Sequence, residues 1–139
     1  MIDIEFSVDM APTGKARPRM GRFGMYTPKK THDAETIIAA AAAQRMGGCS
    51  PTTDNVVMMV MVTFPIPKSY RGLKRSMAES GRLLPGKKPD IDNLVKLAAD
   101  ALNGIVYADD AQVCRLVAEK KYGTQEQLWL RVVSIHPDE

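Results

Sequence analysis

Apolar residues alternate with polar ones at the start of the chain, where Ile2, Ile4, Phe6 and Val8 interleave with Asp3, Glu5, Ser7 and Asp9. A period of two predicts a strand with one face buried. From Thr31 to about Met46, centred on the alanine run Ala39 to Ala43, the pattern becomes helical, opened by Thr31 or His32 and closed by Gly47-Gly48. Val56 to Phe64 is almost continuously apolar and β-branched, which predicts a buried strand ending before Pro65 and Pro67, with Met58, Met59 and Met61 as core filling. On a helical wheel Ile91, Leu94, Val95, Ala98, Ala101 and Leu102 share one face, opposite Asp92, Lys96, Asp100 and Asn103. This predicts an amphipathic helix from about Asp90 to Asn103, stopped by Gly104. Val113–Tyr122 and Leu128–Ile135, separated by Gly123-Thr124-Gln125-Glu126-Gln127, read as a terminal hairpin. The segments between these elements read as loops, long and flexible after Pro65.

The order strand, helix, strand, helix, strand, strand predicts an α/β protein: one mixed sheet of about four strands with two packed helices. No glycine-rich phosphate loop is present, which argues against a doubly wound nucleotide fold. At 139 residues, 45% hydrophobic and 25% charged, residues 1–139 are expected to form a single domain. No apolar run is long enough to span a bilayer, and the N-terminus lacks a basic start followed by an apolar core, so a soluble, cytoplasmic protein is expected. Cys49 and Cys114 match no metal-binding or redox spacing and read as buried or incidental thiols. His32 and His136 read as surface or capping residues, and Trp129, alternating with Leu128 and Leu130, as a packing residue of the last strand.

A net charge of +3 says little, but its distribution changes the picture. Between Met10 and Lys30 stand Lys15, Arg17, Arg19, Arg22, Lys29 and Lys30 with no acid, and from Lys68 to Lys88 stand seven more cations, ending in Lys87 and Lys88, against Glu79 alone. Thirteen of the nineteen Lys and Arg residues therefore lie in two segments punctuated by Pro and Gly. Such segments are either solvated loops or phosphate-binding ones.

What tips the balance is an acidic cluster beside them. Asp90 and Asp92 sit where an extended, proline-containing segment enters a helix, and Asp109 and Asp110 where a loop enters a strand. An isolated Asp before a helix is ordinarily a cap, which describes Asp90 but not Asp92. At the entry turn two carboxylates two residues apart can converge on one cation, whose charge offsets their repulsion. Oxygen donors without clustered His or Cys favour Mg²⁺, with Mn²⁺ as a substitute. Lys96 lies one turn beyond Asp92 and reads either as a solvated partner of Asp92 or Asp100 or as part of the same site. An anionic phosphodiester would approach these acids only through a cationic surround, which the two basic segments supply.

The residues Pro89-Asp90-Ile91-Asp92-Asn93-Leu94-Val95-Lys96, Asp100-Ala101-Leu102-Asn103-Gly104 and Asp109-Asp110-Ala111-Gln112-Val113 resemble motifs of the RusA family of Holliday-junction resolvases, its phage-type branch in particular. Lys15-Ala16-Arg17-Pro18-Arg19 with Tyr26-Thr27-Pro28-Lys29, and Glu119-Lys120-Lys121-Tyr122-Gly123, add to the likeness, while residues 65–86 contribute little. The resemblance implies a small homodimeric, Mg²⁺-dependent crossover junction endodeoxyribonuclease acting on four-way DNA in recombination and repair, with no further small-molecule cofactor. It places the family's three essential carboxylates on Asp90, Asp92 and Asp110, making Asp109 the weaker of its pair, and the functional lysine on Lys96. Lys15, Arg17, Arg19, Arg22, Lys29, Lys30, Lys87 and Lys88 are the expected contacts to nucleic acid. Two alternatives stay open: a nuclease for other branched DNA or RNA, and a non-catalytic DNA-binding dimer with a structural cation.

Overall fold

The computed structural model describes residues 1–137. Strand β1 (Asp3–Val8) leads to a small ribbon of β2 (Arg19–Gly21) and β3 (Gly24–Tyr26), then to helix α1 (Lys29–Met46). Strand β4 (Asn55–Pro65), helices α2 (Gly72–Glu79) and α3 (Ile91–Ala101), a 3₁₀ turn (Asp110–Gln112), β5 (Val113–Gly123) and β6 (Gln127–Ile135) complete the chain. The architecture is α/β, with a mixed four-stranded sheet in the order β1-β6-β4-β5.

The expected terminal hairpin does not form: β5 and β6 flank β4 instead of pairing with each other, β5 parallel to β4 and β6 antiparallel. The reason lies in β4. Val56, Met58, Val60, Val62 and Phe64 are buried on one face, while Val57, Met59 and Met61 are half-buried on the other, so this strand needs a neighbour along both edges. A hairpin of β5 with β6 would leave one edge of the most apolar strand unpaired. Parallel pairing of β4 and β5 requires a long crossover, which the segment containing α2 and α3 supplies.

Two further elements depart from the expectation. The first basic segment contains the β2–β3 ribbon, and the loop after Pro65 contains α2, too short and polar to show a clear helical period. Of α2 only Ala78 is fully buried, while Leu73 points outward. Helix α3 starts one residue after Asp90, as the pattern requires, but Ile91 is exposed and Leu97 takes the inward position with Leu94, Ala98 and Ala101. Helix α1 begins at Lys29, two residues before the expected opening, and ends on Gly47 in the left-handed region at φ 58°.

The core lies between one sheet face and helices α1 and α3. Ile38 and Ala42 of α1, Leu94 and Leu97 of α3, and Leu130 and Val132 of β6 belong to one continuous buried cluster with the inward side chains of β4. Each such aliphatic side chain contributes about 1.5–3 kcal/mol by leaving water. Packing therefore fixes α3 along its apolar stripe and turns its polar stripe outward. No helix among the described residues is long and apolar enough to cross a membrane. Both cysteines are exposed free thiols, not buried ones.

Candidate active site

Helix α3 places the site. Its polar stripe carries Asp92, Lys96 and Asp100 at intervals of four residues, one above the other, with Asp92 and Asp100 about 12 Å apart along the axis. Asp90 occupies the N-cap position with extended backbone (φ −67°, ψ 149°), yet its side chain makes no capping bond. The carboxylate instead accepts from Lys88 Nζ at 2.8 Å. Asp90 thus stands at the N-cap position by its backbone alone, with its carboxylate committed to Lys88 and not to the helix N–H groups. Lys88 is held above the usual lysine range by its hydrogen bond to Asp90 and by the charges of Asp90 and Asp92, so both acids lie within its field.

The 3₁₀ turn separates Asp109 from Asp110. Asp109 caps the turn, its side chain accepting from Ala111 N at 3.3 Å while its own N–H donates to Gln112 Oε1 at 2.9 Å. Gln112 in turn donates through Nε2 to the carbonyls of Thr52 (2.9 Å) and Asp54 (2.7 Å), pinning the turn to the segment that enters β4. Sequence reasoning gave Gln112 no such task; the Asp-x-x-Gln spacing of a capping box was the legible signal.

Asp110 is left to face α3, where it meets Asp100. Burial raises the Asp110 pKa first, followed by the hydrogen bond with Asp100 and the negative charges of Asp109 and Asp100, with Lys96 pulling the other way. The sequence pattern puts Asp100 on the polar face of the helix and in a family motif but gives it no site role; its place eight residues after Asp92, on the same stripe, is the signal that it stands in line with Asp92 and Lys96. Beneath lies Tyr107, fully buried, whose hydroxyl donates to Ala99 O at 2.6 Å. Burial and then the charges of Asp110, Asp100 and Asp109 push that phenol far above its normal range, so it stays protonated and serves as a fixed floor.

Lys15 differs from the other expected nucleic-acid contacts. Its ammonium reaches inward to Glu35 of α1 and to Asp100 of α3, at 3.2 Å from Asp100 Oδ2, and only 17% of its side chain is exposed. Burial lowers its pKa, but hydrogen bonds and charge from Glu35 and Asp100 outweigh that and leave it raised. Its backbone is also fixed, Lys15 N donating to Asn93 O at 2.9 Å. Gly14 makes that approach possible: a Cβ there would stand 3.1 Å from the Cβ atoms of both Asn93 and Pro89. Arg17, Arg19, Arg22, Lys29, Lys30, Lys87 and Lys88 are all exposed.

A cleft of about 810 Å³ opens beside Asp90, lined by Leu84, Lys87, Lys88, Ile91, Ala118 and Lys120 among others. Phe64 and Tyr122 support its cationic rim, with Lys87 and Lys120 5.8 and 5.3 Å from the Phe64 ring centre. The donor set suits a hard divalent cation in kind, because it is made of carboxylates and the Asp100–Asp110 pair repels itself as metal ligands do before binding. Among the described residues, however, no three acidic, His or Cys side chains gather around one point. Asp90 and Asp92 lie at the head of the α3 stripe and Asp100 meets Asp110 at its foot, with Lys96 between them.

Carboxylates and a lysine on one rigid helix face, bordered by exposed cations, form the arrangement expected of a phosphodiester-cleaving protein. The model of the family described as Endodeoxyribonuclease RusA matches residues 9–132, and the chain belongs to that family of endodeoxyribonucleases. A Bacillus subtilis (strain 168) protein described as "Uncharacterized protein YqaN" is 37% identical over 131 residues, which cover 90% of this chain and 92% of that protein.

Proposed function

We propose that this nuclease resolves four-way DNA junctions by paired nicks during recombination and repair, as a Mg²⁺-dependent homodimer acting in the cytoplasm. The observation that carries the reading is the α3 stripe: Asp92, Lys96 and Asp100 in line, with Asp90 at its head and Asp110 facing its foot, in a family of endodeoxyribonucleases.

Asp90 and Asp92 at the head of the stripe and Asp110 at its foot are the residues proposed to hold one or two Mg²⁺ ions; the metal would supply polarisation of the scissile phosphate and an attacking water of lowered pKa. The protein residues do the rest. Lys96, a turn from both Asp92 and Asp100, presents a positive charge where the phosphate gains negative charge during attack. Asp109 and Gln112 fix the turn so that Asp110 faces α3, and Lys15 supports Asp100 from behind. Arg17, Arg19, Arg22, Lys29, Lys30, Lys87 and Lys88 neutralise backbone phosphates, which makes binding strongly salt-dependent.

Two opposed strands of a four-way junction must be cut, and a twofold dimer with one site per subunit meets that symmetry. The test is cleavage of a synthetic junction beside linear duplex, flap and single-stranded substrates, in Mg²⁺ or EDTA. Paired nicks confined to the junction and lost in EDTA are expected. Preferential cutting of another substrate would discard the junction assignment, and binding without metal-dependent cutting would discard the catalytic one.

A further inference from the structure

The β2–β3 ribbon is the most exposed apolar feature of the molecule. Phe23 is 97% exposed, and Met20, Met25 and Tyr26 beside it are 75%, 61% and 49% exposed. One exposed apolar side chain is ordinary, but four on a six-residue ribbon and its turn mark a contact surface. The ribbon is ordered by its own chemistry. Arg19 pairs with Tyr26, Met20 with Met25 and Gly21 with Gly24, leaving Arg22 and Phe23 as the two turn residues and Gly24 at φ 110° to complete the bend. The Tyr26 ring lies across Gly21, where a Cβ would meet it at 2.9 Å.

The surroundings say what the tip meets. From Met10 to Lys30 every charged residue is cationic, with Arg17, Arg19 and Arg22 on the ribbon and its approach. The Arg22 guanidinium carbon sits 5.7 Å from the Phe23 ring centre, so the tip offers a planar cation next to an aromatic face. A ribbon of a second copy would bring like charge against this one, whereas nucleic acid brings phosphate for the arginines and π-faces for the phenylalanine. The ribbon is also tied to the site: Lys15 N bonds Asn93 O at the first turn of α3, and Ala16 N donates to Thr31 Oγ1 at 3.2 Å on α1.

We propose that the β2–β3 ribbon is a probe for unstacked bases, with Phe23 stacking on a base exposed at the branch point of the DNA and Arg22 holding the adjoining phosphate. This deepens the nuclease reading, on which it rests for its substrate class. An intact duplex presents no free base face away from its ends, so the contact would favour branched over linear DNA.

The experiment uses the full chain with a four-way junction carrying 2-aminopurine beside the branch point, and a linear duplex of matched sequence. Wild type, Phe23→Ala and Phe23→Trp are compared for junction and duplex Kd, 2-aminopurine fluorescence, Mg²⁺-dependent cleavage and oligomeric state. Phe23→Ala is expected to lose about tenfold in junction affinity, much more than in duplex affinity, and to abolish the fluorescence change, with Phe23→Trp restoring both. If wild type cuts the junction in Mg²⁺ and Phe23→Ala keeps the same preference for junction over duplex, the probe is wrong and the nuclease reading stands. If the Phe23 effects appear without any metal-dependent cleavage, the probe stands and the nuclease reading falls. Dissociation of the oligomer by Phe23→Ala, with unaltered DNA preference per subunit, would make the tip a contact between copies and overturn the proposal.

Discussion

The two carboxylate pairs of α3 differ in what surrounds them. At the head, Asp90 pairs with Lys88, an exposed side chain on a loop, and lines a large cleft, while Asp92 is exposed in the first turn of the helix and adds its charge to the field at Lys88. At the foot, Asp100 and Asp110 are half-buried, press on each other above Tyr107, and are backed by the inward-turned Lys15. A ligand can displace Lys88 by moving one flexible side chain, but it cannot displace Lys15 without opening the junction of the N-terminal segment, α1 and α3. On the proposed function, the exposed head would exchange ligands while the anchored foot holds its position, joining access to fixed geometry.

The largest effect is expected at the head. Asp92→Asn is expected to lower the cleavage rate by about 10³-fold while leaving the melting temperature and junction Kd near wild type. Single-turnover cleavage beside thermal melting checks this, and a wild-type rate would remove Asp92 from the site.

At the foot the largest effect should be structural. Lys15→Ala leaves Glu35 and Asp100 facing each other without their cation and is expected to cost about 1–3 kcal/mol in a urea titration. Lys88→Ala, by contrast, should leave the urea midpoint at the wild-type value, since its pair is exposed and screened by solvent. Equal losses would erase the distinction between the two pairs. Tyr107→Phe strips the donor from Ala99 O and is expected to destabilise by about 1 kcal/mol, measured in the same titration.

A smaller effect has the opposite sign. The Asp110 pKa is raised in the folded protein, so its ionisation opposes folding; that penalty is complete above the raised folded value and disappears as pH falls to the unfolded value of 3.8. Without metal, Asp110→Asn is therefore expected to raise the melting temperature by about 1–3 °C at pH 7, with the gain shrinking toward pH 4. Asp3 carries the reverse linkage: its hydrogen bond to Arg131 lowers the folded pKa, giving stability that is present above 3.8 and lost as pH falls through that lower value. Melting curves of Asp110→Asn and Asp3→Asn from about pH 2 to pH 7 in EDTA separate the two signs, the Asp110 difference changing above 3.8 and the Asp3 difference below it.

Much of this site could be read along the chain. Asp90 and Asp92 stand at a helix entry that apolar spacing locates to within a residue, and Lys96 follows at helical spacing, so the head of the site is a local matter. The foot is not. Asp100 and Asp110 are ten residues apart across a turn, and Lys15 and Glu35 reach them from other elements, so no local period reports their contact. The strand pairing is hidden from local pattern for a similar reason: β5 and β6 look like a hairpin along the chain, and only the demand of β4 for two neighbours separates them.

The α/β alternation, the apolar and polar faces of α3, the basic character of both site-bordering segments and, through the motifs, the endodeoxyribonuclease family are legible in the linear order of residues. Those are properties of periodicity, composition and short-range spacing. Packing of the whole chain is what puts β4 between β5 and β6, makes Asp109 cap while Asp110 faces Asp100, turns Lys15 inward, and lifts Phe23 into solvent on a cationic ribbon. Each of these depends on which distant side chains compete for the same buried edge, charge or hydrogen bond, and that competition is settled only when the chain packs.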